Sequence, residues 1–121
     1  MLLDSNIIIY STQPAHADLR RFIAAQNPAV SAVSYVEVLG YHRLTNSDRV
    51  ALERLFQTAV ILPLDQPVLD RAVALRQQRR MTLGDSLIAA TALVNSLELV
   101  THNVVDFCWI AGLRLLDPLS P

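Results

Sequence analysis

Five short apolar runs, separated by stretches of helical periodicity, constrain the fold of this chain more than any other feature. The runs fall at residues 1–3, 29–32, 60–62, 97–101 and 114–116. Each is too short for a helix and is bounded by polar residues or proline, the pattern of a buried strand. Between them, 15–26, 34–43, 46–58, 66–80, 83–96 and 104–110 carry apolar residues at helical spacing. On the 46–58 helix, Val50, Leu52, Leu55 and Phe56 are expected inward, and on 66–80 so are Val68, Leu69, Ala72, Val73 and Leu75. The segment 83–96 is apolar nearly all round, so its helix should be central. Strands alternating with helices predict an α/β domain of three layers, with a central, mainly parallel sheet of four to five short strands flanked by helices. With 121 residues and no linker, repeat or low-complexity segment, one domain over 1–121 is expected.

Composition removes several kinds of chemistry. All ten basic residues are arginine, so no mechanism that needs a lysine is open. The three glycines, Gly40, Gly84 and Gly112, cannot form a phosphate-cradling loop. The single cysteine, Cys108, excludes an internal disulfide and a thiolate zinc site; its apolar neighbours predict a buried structural thiol. The N-terminus meets Asp4 with no basic segment before it, and no apolar stretch reaches the ~20 residues needed to cross a bilayer. The expected location is therefore the cytoplasm. A net charge of −1 gives no global basic field.

Among the eleven acidic residues, four stand in apolar company. Asp4 lies between Leu2-Leu3 and Ile7-Ile8-Ile9, and Glu37 within Val36 and Val38-Leu39. Asp85 opens the most apolar helix, and Asp106 sits between Val104-Val105 and Phe107. Carboxylates so placed are costly unless paired, protonated or bound to a cation. Taken singly, each reads as a helix cap: Ser34 with Glu37, Thr82 with Asp85 and Asn103 with Asp106 have capping-box spacing, as does Thr45 with Asp48, and Asp4 could cap a helix after it. Capping does not explain why the helices around these acids are so apolar. Asp4 follows the first strand, and Asn103 and Asp106 follow the fourth; if those strands are neighbours, both segments open on one crevice, where open parallel sheets place ligands. Acids gathered there suit Mg²⁺ or Mn²⁺, hard ions that take a few carboxylate oxygens together with water and substrate phosphate. Such ions can activate water and stabilise a leaving oxygen. His16 and His42 read as incidental surface residues, and His102 alone makes neither a zinc site nor an acid–base pair.

These residues bear a family resemblance. Leu2-Leu3-Asp4-Ser5-Asn6 resembles the start of a PIN domain, and Ser34-Tyr35-Val36-Glu37 resembles its second acidic motif. Leu83-Gly84-Asp85-Ser86-Leu87-Ile88-Ala89-Ala90 is the most specific match, and Thr101-His102-Asn103-Val104-Val105-Asp106-Phe107 followed by Gly112-Leu113 resembles the terminal motif. The matches occur in family order over essentially the whole chain, at the length of the short VapC-like toxins of VapBC toxin–antitoxin pairs. The resemblance implies a Mg²⁺-dependent endoribonuclease that hydrolyses phosphodiester bonds, a homodimer, and a cognate VapB-like antitoxin that covers the groove. It makes Asp4, Glu37, Asp85 and Asp106 the catalytic and metal-binding acids, with Asn6, Asn103, Ser5 and Thr101 as auxiliary polar groups. Two departures stand out: His102 replaces a residue that is often basic, and Asn103 is neutral where some relatives have a further acid.

An RNA substrate would have to be held by arginine, and Arg43, Arg76, Arg79 and Arg80 are the candidates, although each also reads as part of a solvated helix face. Tyr10, Tyr35 and Tyr41 could stack on a base. The competing readings are a non-catalytic PIN-like module that binds RNA or protein, and a Mg²⁺-dependent phosphatase or phosphoacceptor on a similar sheet. The second is weakened by the missing lysine and by a start that reads Asp4-Ser5-Asn6 and not Asp-x-Asp.

Overall fold

The computed structural model describes residues 1–119. Five strands form one sheet: β1 (Leu2–Leu3), β2 (Ala29–Ser31), β3 (Val60–Leu62), β4 (Leu99–Val100) and β5 (Leu115–Leu116). Their order is β3-β2-β1-β4-β5, and every pair is parallel. The chain therefore builds outward from β1 in one direction and, after β3, crosses back to build outward on its other side. The point of reversal lies between β1 and β4, whose register pairs Leu3 with Val100.

The strands are only two or three residues long, yet they separate two cores. Successive side chains of a strand point to opposite faces. Leu2 and Leu99 join one apolar cluster with Val68, Leu75, Ile88 and Phe107. Leu3 and Val100 join the other, with Ile7, Ile8, Val38, Leu52 and Phe56. This is the three-layer arrangement the alternating pattern implies.

The helices are α1 (Ser5–Tyr10), α2 (Ala17–Gln26), α3 (Ala32–Leu39), α4 (Asn46–Thr58), α5 (Gln66–Gln78), α6 (Leu83–Val94) and α7 (Val104–Phe107). A 3-10 turn, Pro14–His16, occupies the start of the expected 15–26 helix because Pro14 fixes the chain there without an amide donor. The most apolar helix is central: seven consecutive residues of α6, Ser86 to Ala92, are buried. Its alanines let it approach closely, and Thr91 Oγ1 ties it to Ser31 at the end of β2 over 3.2 Å. None of the helices among the described residues is long and apolar enough to cross a membrane.

Several expectations need correction. The helix expected at 34–43 begins at Ala32, because Ser31 ends β2 and its hydroxyl accepts the Val33 amide at once, leaving no loop. The strand expected at 97–101 shrinks to Leu99–Val100. Val50, Leu69 and Val73 are exposed, not inward. The stripe of α5 that meets the core runs through Val68, Ala72 and Leu75, and a residue one step further on is rotated by about 100° toward solvent. Cys108 is exposed, since the single turn of α7 buries Phe107 and turns its next residue outward.

Candidate active site

At the reversal between β1 and β4, two strand ends and three helices bring the acids into one region. Asp4 ends β1 and is buried, at 3 % exposure. Its amide donates to Val100 O over 2.9 Å, which holds the end of β1 against β4. Thr101, the residue after β4, donates its hydroxyl to Asp4 Oδ2 at 2.8 Å. That hydroxyl accepts the Asn103 amide at 3.0 Å, so its one proton is free to point at the carboxylate. Asp4 stands at the N-cap position of α1, yet its side chain makes no cap hydrogen bond.

Glu37 lies inside α3, and the cap of that helix is Ser31 and not Ser34. Capping therefore does not account for Glu37. Ser5, from α1, donates to Glu37 Oε1 at 2.8 Å. Ser5 Oγ also stands 2.9 Å from the buried Ser34 Oγ. A hydroxyl has one proton, so Ser34 supplies the second bond, and the two serines form a short relay that aims the Glu37 carboxylate.

Asp85 is half-buried in the first turn of α6, where its amide donates to Thr82 Oγ1 at 3.1 Å. Thr82 is thus a true cap, whereas Asn103 makes no side-chain cap bond in front of Asp106. Gly84 explains how α6 and α3 meet. A Cβ at Gly84 would lie 2.4 Å from Glu37 Oε2, so only glycine leaves room for that carboxylate. The sequence reading assigned Gly84 no function. A glycine in the first turn of a helix, next to an acid, was the signal available.

Burial and neighbouring charge act on two of these carboxyls, those of Asp4 and Asp85. The Asp4 carboxyl is raised from 3.8 to about 6 by burial, against the opposing Thr101 hydrogen bond, and the charges of Asp85 and Glu37 push it further up. The Asp85 carboxyl is also raised, chiefly by burial, with Asp106 and Glu37 adding to the effect. Exposed Asp106 shares with Asp85 a cavity of about 140 Å³ that is also lined by Arg79, Arg80 and Trp109.

The remaining candidates divide. Arg79 and Arg80 reach the acid cavity; Arg76 lines an adjoining groove, and exposed Arg43 lines neither. Asn6 is exposed and Asn103 half-buried, and neither side chain has a hydrogen bond among the described residues. His102 pairs with Asp117, Nδ1 to Oδ2 at 3.0 Å, and packs edge-on against Tyr10. Tyr35 packs on Phe56 and Tyr41 on His42.

The donor set fits a hard divalent cation. The ion pairs among the described residues are Arg21 with Asp18 and His102 with Asp117, so no cationic side chain neutralises Asp4, Glu37, Asp85 or Asp106. Among the described residues no three acidic or imidazole groups already stand at ligating distance of a common point. Mg²⁺ needs only one or two direct carboxylates because it keeps much of its water.

Comparison with known proteins identifies the family and the fold. The family pattern of the PIN domain matches residues 1–111. Over 115 residues the chain is 32% identical to Ribonuclease VapC10 of Mycobacterium tuberculosis, covering 88% of this chain and 85% of that protein. It superposes on a chain from a toxin–antitoxin complex of Klebsiella pneumoniae with a TM-score of 0.79 and 29% identity, over 99% of this chain and 98% of that one. A chain of VapBC-1 from nontypeable Haemophilus influenzae gives 0.78 and 26% identity, over 96% of each.

Proposed function

The chain belongs to the PIN-domain family, and from that premise we propose that it is a Mg²⁺-dependent endoribonuclease, the toxin half of a toxin–antitoxin pair acting in the cytoplasm. The observation that carries the reading is that Asp85 and Glu37 bring their charges to bear on buried Asp4 at the β1/β4 reversal, with no cationic side chain among the described residues paired to these acids.

Asp4 and Asp85 would hold Mg²⁺, or Mn²⁺ in its place, with Glu37 and Asp106 completing the acidic set. A bound divalent ion supplies charge to activate water and to stabilise the leaving oxygen of a phosphodiester. The protein's own part is positioning. Thr101 fixes one oxygen of Asp4. Ser5 fixes one oxygen of Glu37, leaving the other free to orient a water and hold its proton. Asn6 and Asn103 offer amides at the rim, and Arg79 and Arg80 offer planar donors matched to phosphate oxygens.

Two protein partners complete the proposal. A VapB-like antitoxin is supported by relatives whose structures are toxin–antitoxin complexes. A homodimer is supported by apolar surface at Tyr35, Val36, Val60 and Ile61. The test of the activity is RNA cleavage with and without Mg²⁺ by the parent, Asp4→Asn and Asp85→Asn. Metal-dependent cutting lost in both variants supports the hydrolase. Equal residual cutting in all three identifies a contaminant and overturns the reading.

A further inference from the structure

Trp109 has no part in the acidic site as described, yet it stands against it. Its indole Nε1 donates to Asp106 O at 2.9 Å, which fixes the ring relative to α7. The Arg79 guanidinium lies over that ring, with Cζ 5.5 Å from the centroid, within the range of an attractive cation–ring contact. Arg79 is the residue after α5, in extended conformation, so its side chain leaves the helix direction at the point where the chain turns into α6. The cavity beside it is lined by the carboxylates of Asp85 and Asp106 together with Arg79, Arg80 and Trp109. Arg80 also lines a second groove, of about 460 Å³, together with Arg76 and Gln77. The two linings share Arg80 and Met81, so the spaces lie on either side of the same short segment.

A mobile arginine beside Asp85 and Asp106 would be drawn onto a carboxylate and block it. Here neither Arg79 nor Arg80 forms an ion pair with an acid among the described residues. Stacking on Trp109 gives Arg79 an alternative resting place and keeps its planar donors beside the acid cavity. We propose that Arg79, held by Trp109, and Arg80 bind the RNA phosphate next to the scissile one. The strand then leaves the acidic site toward Arg76. Arg79 and Arg80 would be substrate-binding residues, and Trp109 a positioning residue. This inference rests on the reading that the acids cut RNA, and it adds a direction for the strand and a role for Trp109.

The experiment separates the two claims. A fluorescein-labelled single-stranded RNA of mixed sequence is titrated with the full chain in EDTA at 25–200 mM salt, and cleavage by the same preparations is followed separately with Mg²⁺. Each phosphate contact on a single strand contributes about 0.7 to the slope of log affinity against log salt. Arg79→Gln and Arg80→Gln should each lower the slope by about 0.7 and weaken binding roughly 10-fold at 0.1 M salt. Trp109→Leu should lose as much slope as Arg79→Gln, and the double variant should be no worse than either single one. Trp109→Phe should restore binding to within about 3-fold of the parent, because its ring still receives the guanidinium. Arg54→Gln, on α4, should change nothing.

If Arg79→Gln and Arg80→Gln keep the parent slope, or if the parent binds no RNA at the lowest salt, the subsite is refuted even where Mg²⁺-dependent cleavage stands. Strictly additive losses from Arg79→Gln and Trp109→Leu overturn the positioning role. Should Trp109→Leu fail to fold, the Arg79→Gln and Trp109→Phe measurements still decide. Absent cleavage by the parent with slopes as expected would end the nuclease reading and leave the RNA-binding subsite in place.

Discussion

Replacing Asp4 by Asn should stabilise the protein while abolishing its activity. Asp4 is 3 % exposed, and its carboxyl titrates at about 6 in the fold against an ordinary 3.8. The folded value is the higher one, so the native state holds the proton more tightly than the unfolded chain does. Stability then falls as pH rises: the penalty is absent well below 3.8, grows through the interval up to about 6, and is constant above it. Proton linkage puts the penalty at about 3 kcal/mol at pH 7.5 and about 1.5 kcal/mol at pH 5. Asparagine carries no charge, and its Oδ1 can still accept the Thr101 hydroxyl. In EDTA at pH 7.5 the variant should melt above the parent by a margin approaching roughly 10 °C for a domain of this size. That margin should halve at pH 5. Saturating Mg²⁺ should narrow the gap by stabilising the parent alone. The assay is thermal melting by circular dichroism at both pH values, with EDTA and with Mg²⁺. An Asn variant that melts at or below the parent at pH 7.5, or a margin that ignores pH, refutes the reasoning.

Other perturbations probe the positioning of the acids. Gly84→Ala places a methyl 2.4 Å from Glu37 Oε2, which must swing away because it is the end of a flexible side chain. Melting should be unchanged or higher, since alanine gains up to ~1 kcal/mol over glycine in a helix, while cleavage drops at least about 10-fold; full activity contradicts the cradle. Ser5→Ala removes the donor to Glu37 Oε1 and one partner of Ser34. It should cost about 1–2 kcal/mol in urea unfolding and lower kcat, with Ser5→Thr recovering much of the rate. Burial raises Asp4 to about 6 and raises Asp85 as well, so protons compete with the cation at Asp4 as pH falls through about 6. Cleavage at limiting Mg²⁺ should fall there and return with excess Mg²⁺; a flat profile at limiting metal contradicts that competition.

The parts of the molecule written in local pattern were legible. Leu2-Leu3 running into Asp4, and the apolar α6 opening on Asp85, announce strand, helix and costly carboxylates within a few residues of one another. The β1/β4 neighbourhood could be stated only as a condition, because which strands adjoin depends on how the two cores close over the sheet. Glu37 was identified as an acid of interest, but its capping explanation was wrong, since the cap of α3 is Ser31, three residues before the Ser34 that the spacing suggested. Gly84 and Trp109 were missed for one reason. Their roles depend on contacts between elements: Gly84 on the approach of α6 to α3, Trp109 on where the end of α5 falls beside α7. Cys108 was misread because an apolar run predicts burial on average, whereas one turn of helix can bury only one side.

The most direct test is anomalous diffraction from crystals of the protein soaked in Mn²⁺, collected at the manganese edge. An anomalous peak between the carboxylates of Asp4 and Asp85, within reach of Glu37 and lost in Asp4→Asn crystals, is the expected result. Saturating Mn²⁺ that leaves this region without a peak, or a peak that survives Asp4→Asn unchanged, contradicts a divalent-ion centre at the β1/β4 reversal.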